Sequence, residues 1–248
     1  MSKQTGLGDQ LYVGGIDLSG DIGSVDRVGG GPSPLEVTAI DKSAIERIGG
    51  VRDGAIAYSS WFNPAAGASH DTLAALPTAD VHVMYLRGEG IGSAGACCVA
   101  KQVNYDGTRA ADGAFSFSVE ALSDEFGIEW GEQLTAGIRS DGSATNGSSL
   151  DAGAASANGL QAYLHVFSFT GTSVTVKVQQ SSDNGAGDAF ADVAGGSFTA
   201  VSSAPATQRI ATASGLAVER YLRVVTTGTF SAASFAVVVV RNATAVVF

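Results

Sequence analysis

Alternating apolar and polar residues between 96 and 122 predict two strands joined by a turn. Residues 114–122 place an apolar side chain at every second position, so one face of this strand is buried and the other is wet. The segment 106–113 begins and ends with Asp-Gly, a pair typical of turns. We therefore expect a long hairpin loop there, with Tyr105 of the first strand able to face Phe117 of the second.

The rest of the first half gives short elements punctuated by Gly and Pro. The first elements are a strand over 9–18 with a glycine kink and a loop or arm through Gly29–Pro32. A short helix is predicted from Asp41, with Ala44, Ile45 and Ile48 on one face and Gly49-Gly50 at its end, and a second short helix has Ser69 as N-cap and Pro77 as its stop. Strands are predicted over 55–62 and Val81–Leu86, a loop over Gly88–Gly95, and apolar stretches over Ile128–Trp130 and Leu134–Ile138.

The pattern changes at Arg139, where a run of Ser, Gly, Ala, Asn and Asp has almost nothing to bury. We expect a flexible linker over 141–158 between a first domain, 1–140, and a second, 159–248. Beyond the linker, Val174, Val176 and Val178 alternate with polar residues as in a strand. Further strands are predicted over 160–169, 197–201, 208–212, 220–227 and 234–241, which suits a small antiparallel β-sandwich, immunoglobulin-like or jelly-roll-like.

Composition supports a globular, mainly β protein. The chain has 248 residues, is 45% hydrophobic, and contains 33 Gly but only 5 Pro, which favours many strands with tight turns. The first residues have no apolar stretch like that of a signal peptide, and the longest purely apolar run, 235–240, is too short to span a bilayer. We expect a soluble protein made in the cytoplasm, without membrane insertion.

Negative charge is concentrated in the first part of the chain. Residues 1–152 contain 20 acidic and 9 basic side chains, a net charge of −11, whereas residues 153–248 carry +1. Such a surface repels phosphate, so duplex binding by charge neutralisation is disfavoured. The chain could still surround DNA without gripping it.

The cysteines and histidines favour structural roles. Cys97 and Cys98 are neighbours on one strand, too close at Cα for an ordinary disulfide, and point to opposite faces. His70, His82 and His165 lie in different elements, without zinc-like spacing, which favours structural histidines over metal ligands.

Four further candidates are weighed and disfavoured. Glu125, Glu129 and Glu132 near Trp130 could form a glycosidase-like acid pair, but their spacing fixes no carboxyl separation. The acidic loop 183–188 lacks the full calcium-loop pattern, the glycine-rich stretch 88–93 lacks the lysine of a phosphate loop, and Arg209, Arg220 and Arg223 do not converge on one anion. We predict no catalytic residue, no metal site, no cofactor, and no enzyme activity.

Taken together, the chain resembles the major tail proteins, or tail tube proteins, of long-tailed bacteriophages. The resemblance covers most of residues 9–240 and rests on the order and the residues of recurring short sequence motifs. These are Leu11–Leu18, Arg52-Asp53-Gly54 leading into Tyr58–Asn63, His70 with Leu73–Pro77, Lys101–Asp106, Ala111-Asp112-Gly113, Glu129-Trp130-Gly131 and Leu134–Gly137.

That resemblance implies a structural virion protein: a β-sandwich or barrel with one or two short helices, whose copies form hexameric rings stacked into a tail tube for DNA delivery. Its implied partners are further copies and the tape measure, tail terminator and distal tail proteins, while duplex DNA passes through unbound. The implied location is the virion tail, assembled in the host cytoplasm. The second domain would decorate the outside, with weak glycan contact at most. The alternatives are a carbohydrate-binding decoration or adhesin module and, more distantly, a carbohydrate-active enzyme requiring Glu125 or Glu129.

Overall fold

A computed structural model describes residues 5–76 and 79–244 and confirms a mainly β fold. In chain order the strands are β1 (Gln10–Val13), β2 (Ile16–Asp17), β3 (Ile22–Glu36), β4 (Arg47–Trp61), β5 (Val81–Leu86), β6 (Ala94–Gln102), β7 (Asp106–Arg109), β8 (Phe115–Ser123), β9 (Glu129–Gln133), β10 (Arg139–Asp141), β11 (Asn146–Asp151), β12 (Leu160–Ser181), β13 (Ala191–Ser197), β14 (Ala206–Ala211) and β15 (Tyr221–Arg241). A 3-10 turn covers Ser19–Asp21, and one α-helix, α1, covers Ser69–Leu73.

All strand pairs in the described residues are antiparallel and belong to one hydrogen-bonded sheet. The main path runs β13-β12-β15-β9-β6-β5-β1-β2. A branch leaves β6 through β8, which pairs with β4 and β7, and β4 pairs in turn with β3. The first and second halves of the chain are therefore joined edge to edge through β9, which pairs with both β6 and β15.

The second half is organised around a long two-stranded ribbon. β12 and β15 pair from Leu160 opposite Arg241 to Ser181 opposite Tyr221. Each contains two strands that the sequence predicts as separate, because register shifts and glycines interrupt the alternation without ending the pairing. At Gly171 an added Cβ would lie 2.4 Å from Phe230 Cα, so the two backbones approach too closely there for any side chain.

Strands in residues 141–158 correct the prediction of a flexible linker. β11 pairs with the start of β15, β10 pairs with its middle, and Leu150 is buried in the core of the second half. Composition misled because a strand needs only backbone hydrogen bonds and one anchor when its neighbour supplies the apolar face. The pairing of β11 with β15 is interrupted by a register shift between Asn146 and Ser149. The Arg139 guanidinium donates hydrogen bonds to the Val224 and Thr145 carbonyls beside this interruption.

The buried side chains form three clusters. One lies in the first half and includes Leu11, Ile56 and Val119; another lies in the second half around the β12–β15 ribbon. The third combines residues of both halves: Tyr12, Met84, Leu86, Cys97, Val99, Tyr163, Ala236 and Val238. Because apolar side chains from both halves pack there, separating the halves would expose this third cluster to water.

Three local predictions in the first half are wrong. The predicted kinked strand over 9–18 is a tight hairpin, with Gly14 and Gly15 at φ 61° and 84°, as a primed two-residue turn requires. The predicted loop at Gly29–Pro32 is part of a long hairpin formed by β3 and β4. The predicted helix from Asp41 is absent, and its predicted end belongs to β4, where Ile48 and Gly49 pair with Leu35 and Pro34 of β3.

Other local predictions are confirmed in outline. The strand over Val81–Leu86 has the predicted bounds, and α1 begins at Ser69, although Ser69 is its first residue and not its cap. The Ser69 hydroxyl instead donates to the Trp61 carbonyl at 2.6 Å. Pro77, predicted as the helix stop, lies outside the described residues. The loop predicted over 106–113 contains β7, so the tight hairpin joins β7 to β8.

Candidate functional site

The most buried charged pair joins the two halves. Arg209 on β14 donates from Nε and Nη2 to the two carboxylate oxygens of Glu129 on β9, at 2.7 and 2.8 Å, and both side chains are 7% exposed. The Tyr163 hydroxyl donates to Glu129 Oε2 at 2.5 Å, and burial raises the pKa of Tyr163. The Arg209 guanidinium also lies 3.6 Å from the centre of the Phe126 ring.

This network gives Glu129 a structural role. A carboxylate that accepts two hydrogen bonds from a guanidinium and one from a tyrosine hydroxyl has three of its about four lone-pair sites occupied, which does not suit a group that must exchange a proton with a substrate. Glu125 lies in a turn with φ 67°, and Glu132 is on β9 opposite Val239. The structure does not group these three acids into a common cleft.

The histidines lie apart, each in its own packing environment. His70 Nδ1 is 3.1 Å from the Tyr105 hydroxyl, and His82 Nδ1 is 2.8 Å from the Thr207 hydroxyl. His165 is fully buried between the halves, and burial lowers its pKa to about 3. Among the described residues, no three His, Cys, Asp or Glu side chains come together as a metal site.

The remaining candidate groups are separate from one another. Cys97 and Cys98 are free and buried, and burial raises the pKa of Cys98 to about 12. Arg220 pairs with Asp151, whereas Arg223 donates to Gln179, so neither shares a partner with Arg209. In the loop after β12, the Asp183 carboxylate accepts from the backbone N–H groups of residues 186–188, which accounts for its oxygens without a cation.

Two polar clefts flank Arg87. The first, about 350 Å³, contains Asp9, whose carboxylate accepts from Arg87 at 2.9 Å and from the Tyr85 hydroxyl. The second, about 740 Å³, is an open groove beside β11 that includes Glu132 and Asp151. Both are open to solvent, Asp9 pairs with Arg87, and Asp151 pairs with Arg220, so neither cleft brings together a reactive set.

A different feature distinguishes the surface: the distal part of the β3–β4 hairpin, residues 30–53, which we call the arm. None of its residues is buried. It nevertheless carries six exposed large apolar side chains: Leu35, Val37, Ile40, Ile45, Ile48 and Val51. Leu35 and Ile48 are directly opposite on the two strands, so they share one face of the arm.

The arm is apolar where a solvated hairpin should be polar. Ile40 at its tip is fully exposed and Val51 is 80% exposed. The arm carries four acidic and three basic side chains, whereas the remainder of residues 1–152 carries sixteen acidic and six basic ones. An extended, nearly neutral, apolar segment on an acidic protein has the properties of an interaction surface.

A second apolar surface lies at the other end of β4. Five rings cluster there, and we call them the aromatic patch: Phe62, His70, Tyr105, Phe115 and Phe117. Tyr105 stacks on Phe117 with 4.0 Å between ring centroids, the contact that the sequence predicts, although Tyr105 lies between β6 and β7 and not on a strand. Phe62 and Phe115 form the exposed part, at 41% and 37%.

Local backbone chemistry builds this patch. Gly107 on β7 lies beneath the rings, since a Cβ there would be 2.8 Å from Phe117 Cε1. The Asp-Gly pair that sequence analysis interprets as a turn therefore makes room for aromatic side chains. The arm had a weaker sequence signal: apolar residues between Pro-rich and Gly-rich stretches, without the spacing of a buried strand or helix.

Comparisons with known proteins give low similarity. No protein-family model and no curated protein sequence matches the chain. The chain is similar to a chain in the virion of a native gene transfer agent particle, with a TM-score of 0.41, 12% identity, and coverage of 52% of this chain and 98% of that one. It is also similar to a chain of the tail of an empty gene transfer agent particle with C6 symmetry, with a TM-score of 0.40, 16% identity, and coverage of 51% and 97%.

A third similarity extends over most of the chain. The Dit protein of phage SPP1, described as a paradigm of the hub adsorption apparatus in phages that infect Gram-positive bacteria, matches 94% of this chain and 98% of its own, with a TM-score of 0.34 and 11% identity. None of the helices in the described residues is both long and apolar enough to cross a membrane. These three structures come from gene transfer agent particles and from a phage adsorption apparatus.

Proposed function

We propose that the chain is a structural subunit of a phage tail that polymerises into stacked hexameric rings and forms the tail tube. The observation that carries this proposal is the arm, whose six large apolar side chains are all exposed. An exposed apolar surface of this extent marks an interaction site, and further copies of the chain are a partner that is always present at equal concentration.

The charge distribution supports a role as a conduit. Residues 1–152 carry a net charge of −11, so a lumen lined by acidic side chains of the first half would repel DNA phosphates and would not bind them. In this proposal duplex DNA passes through during genome delivery without specific binding. The tape measure, tail terminator and distal tail proteins would contact the lumen and the two ends, and the subunit would assemble in the host cytoplasm before residing in the virion tail.

The proposed subunit is not an enzyme and needs no cofactor. Its buried acid, Glu129, is held by Arg209, and its histidines lie in separate environments. The glycan-binding alternative requires an exposed aromatic platform on the second half. Among the described residues, none of the large apolar side chains exposed at the surface lies beyond Trp130 in the chain.

Electron microscopy of the concentrated purified protein tests the proposal. We expect hollow tubes of many stacked rings, with length increasing with protein concentration. A single ring that never stacks would indicate a hub-like subunit instead of a tube subunit. Compact monomers at every concentration would refute both assemblies.

A further inference from the structure

The arm and the aromatic patch lie at opposite ends of the same strand, and this placement suggests which surfaces meet. β4 runs from Arg47 in the arm to Trp61, immediately before Phe62 of the patch. Its 15 residues span about 50 Å at about 3.3 Å per residue. The body half of β4, Ala55–Trp61, pairs with β8, and the arm half pairs with β3, so the two apolar surfaces lie at opposite ends of one paired strand.

We propose that the aromatic patch of one copy receives the arm of the next copy, so that copies join head to tail along the direction of β4. The inference rests on the proposed function and adds the contact that joins one ring to the next. A contact between two different surfaces of a subunit is heterologous and repeats without closing when successive copies are related by translation along an axis, which is the symmetry a growing stack requires.

The chemistry of the two surfaces is complementary. The arm offers aliphatic side chains on an extended backbone, and the patch offers two half-exposed phenyl rings over a packed base of Tyr105, His70 and Phe117. Aliphatic side chains inserted against clustered aromatics exclude water from both, as at the centres of stable interfaces. The patch is already rigid, because its rings stack on each other and on Gly107, so docking orders few additional side chains.

Charge favours the arm over the rest of the protein surface as the occupant. The first half without its arm has sixteen acidic and six basic side chains, so two such bodies in contact repel. The arm has four acidic and three basic side chains, and Lys42 and Glu46 already pair at 3.5 Å, so it approaches an acidic neighbour with little repulsion.

Disulfide trapping tests the contact directly. Ala44→Cys places a thiol on the exposed arm and Ala114→Cys places one beside Phe115, and both replace a small exposed residue. The native Cys97 and Cys98 are buried, so they stay unreactive under mild oxidation. The double variant Ala44→Cys/Ala114→Cys should give a ladder of covalent multimers on a non-reducing gel, since each copy donates one thiol upward and one downward.

The matched control is Ala44→Cys/Ala191→Cys, which moves the second thiol to the exposed start of β13. It should give at most a trace of dimers. A ladder from the control as strong as that from the test variant would overturn the inference, as would tubes of the test variant that fail to cross-link. In the latter case the proposed function stands and only this contact is wrong; absence of both tubes and ladder would refute the two together.

A pair of aromatic substitutions gives an independent readout. Phe115→Ser should raise the concentration needed for assembly at least tenfold, whereas Trp130→Ser, which removes an exposed aromatic at another position, should leave it unchanged. Circular dichroism would verify that both variants fold. Normal assembly of Phe115→Ser would contradict the inference, and loss of binding to a glycan array by that same variant would identify the patch as a sugar platform instead.

Discussion

Removing the Arg209 guanidinium should destabilise the protein more than removing any exposed arginine. Glu129 is 7% exposed in the intact pair, and Arg209→Ala removes the cation that neutralises its carboxylate while the Tyr163 hydroxyl remains as a donor. Two unit charges about 4 Å apart attract by about 4 kcal/mol at an effective dielectric constant near 20. Breaking one partner of a buried ion pair costs a similar amount, about 3–5 kcal/mol. We therefore expect the free energy of unfolding to fall by about that amount.

The measurement is equilibrium urea unfolding followed by intrinsic fluorescence, under conditions where wild type and variant are equally dispersed. The matched control is Arg220→Ala, which removes an equally bidentate arginine whose pair with Asp151 is 44% and 45% exposed. The control should change stability far less, because water replaces the lost partner. A double variant, Glu129→Gln/Arg209→Met, should recover much of the loss, since it leaves no buried charge.

Equal small losses for Arg209→Ala and Arg220→Ala would refute the reasoning. That result would mean that water reaches Glu129 once the guanidinium is removed, so that β9 and β14 do not form a dry contact between the halves. The shape of the urea unfolding curve provides a further check. A second transition in the variant would show that the two halves unfold separately.

Three further predictions concern pH, truncation and DNA. The pKa of His165 is about 3 in the folded state and about 6.5 in the unfolded state, so the unfolded state binds the proton first as the pH falls. The free energy of unfolding should therefore be full above pH 6.5 and fall toward pH 3. In urea unfolding between pH 7 and 5, the free energy of unfolding of His165→Leu should change less with pH than that of wild type. A fragment ending at Ala152 loses β12 and β15, so it should aggregate or remain unfolded by circular dichroism, and a soluble cooperative fragment would contradict the shared core. Assembled protein should bind duplex DNA negligibly in a gel-shift assay at low ionic strength; tight binding that weakens with salt would reveal an exposed basic track.

The sequence allowed local strand prediction from two kinds of pattern. The strand β8 was predicted from alternation, because its apolar residues are buried at every second position. The strand Val81–Leu86 is a short apolar run whose last four residues are all buried, on both faces of the sheet. The fusion of predicted strands into β12 and β15 was not predictable in the same way. Their bulges and glycines are read as strand ends, and only the long partner strand keeps the pairing continuous.

The arm and the Arg209–Glu129 pair show two further limits of sequence. Apolar residues in the arm suggested a helix with a buried face, because sequence patterns assume that apolar side chains are covered within the same chain. The pair joins residues 80 positions apart, so no local spacing could indicate it. Both depend on which surfaces the whole fold brings together or leaves uncovered, which residue periodicity does not contain.

A cryo-electron microscopy reconstruction of the assembled protein would show directly whether the subunits form a tube and where the arm lies. We expect stacked rings around an open lumen, with acidic side chains of the first half lining the lumen and the arm of each copy lying on Phe62 and Phe115 of a copy in the neighbouring ring. A filament without an open lumen, or rings whose arms extend into solvent without contacting another copy, would contradict this expectation.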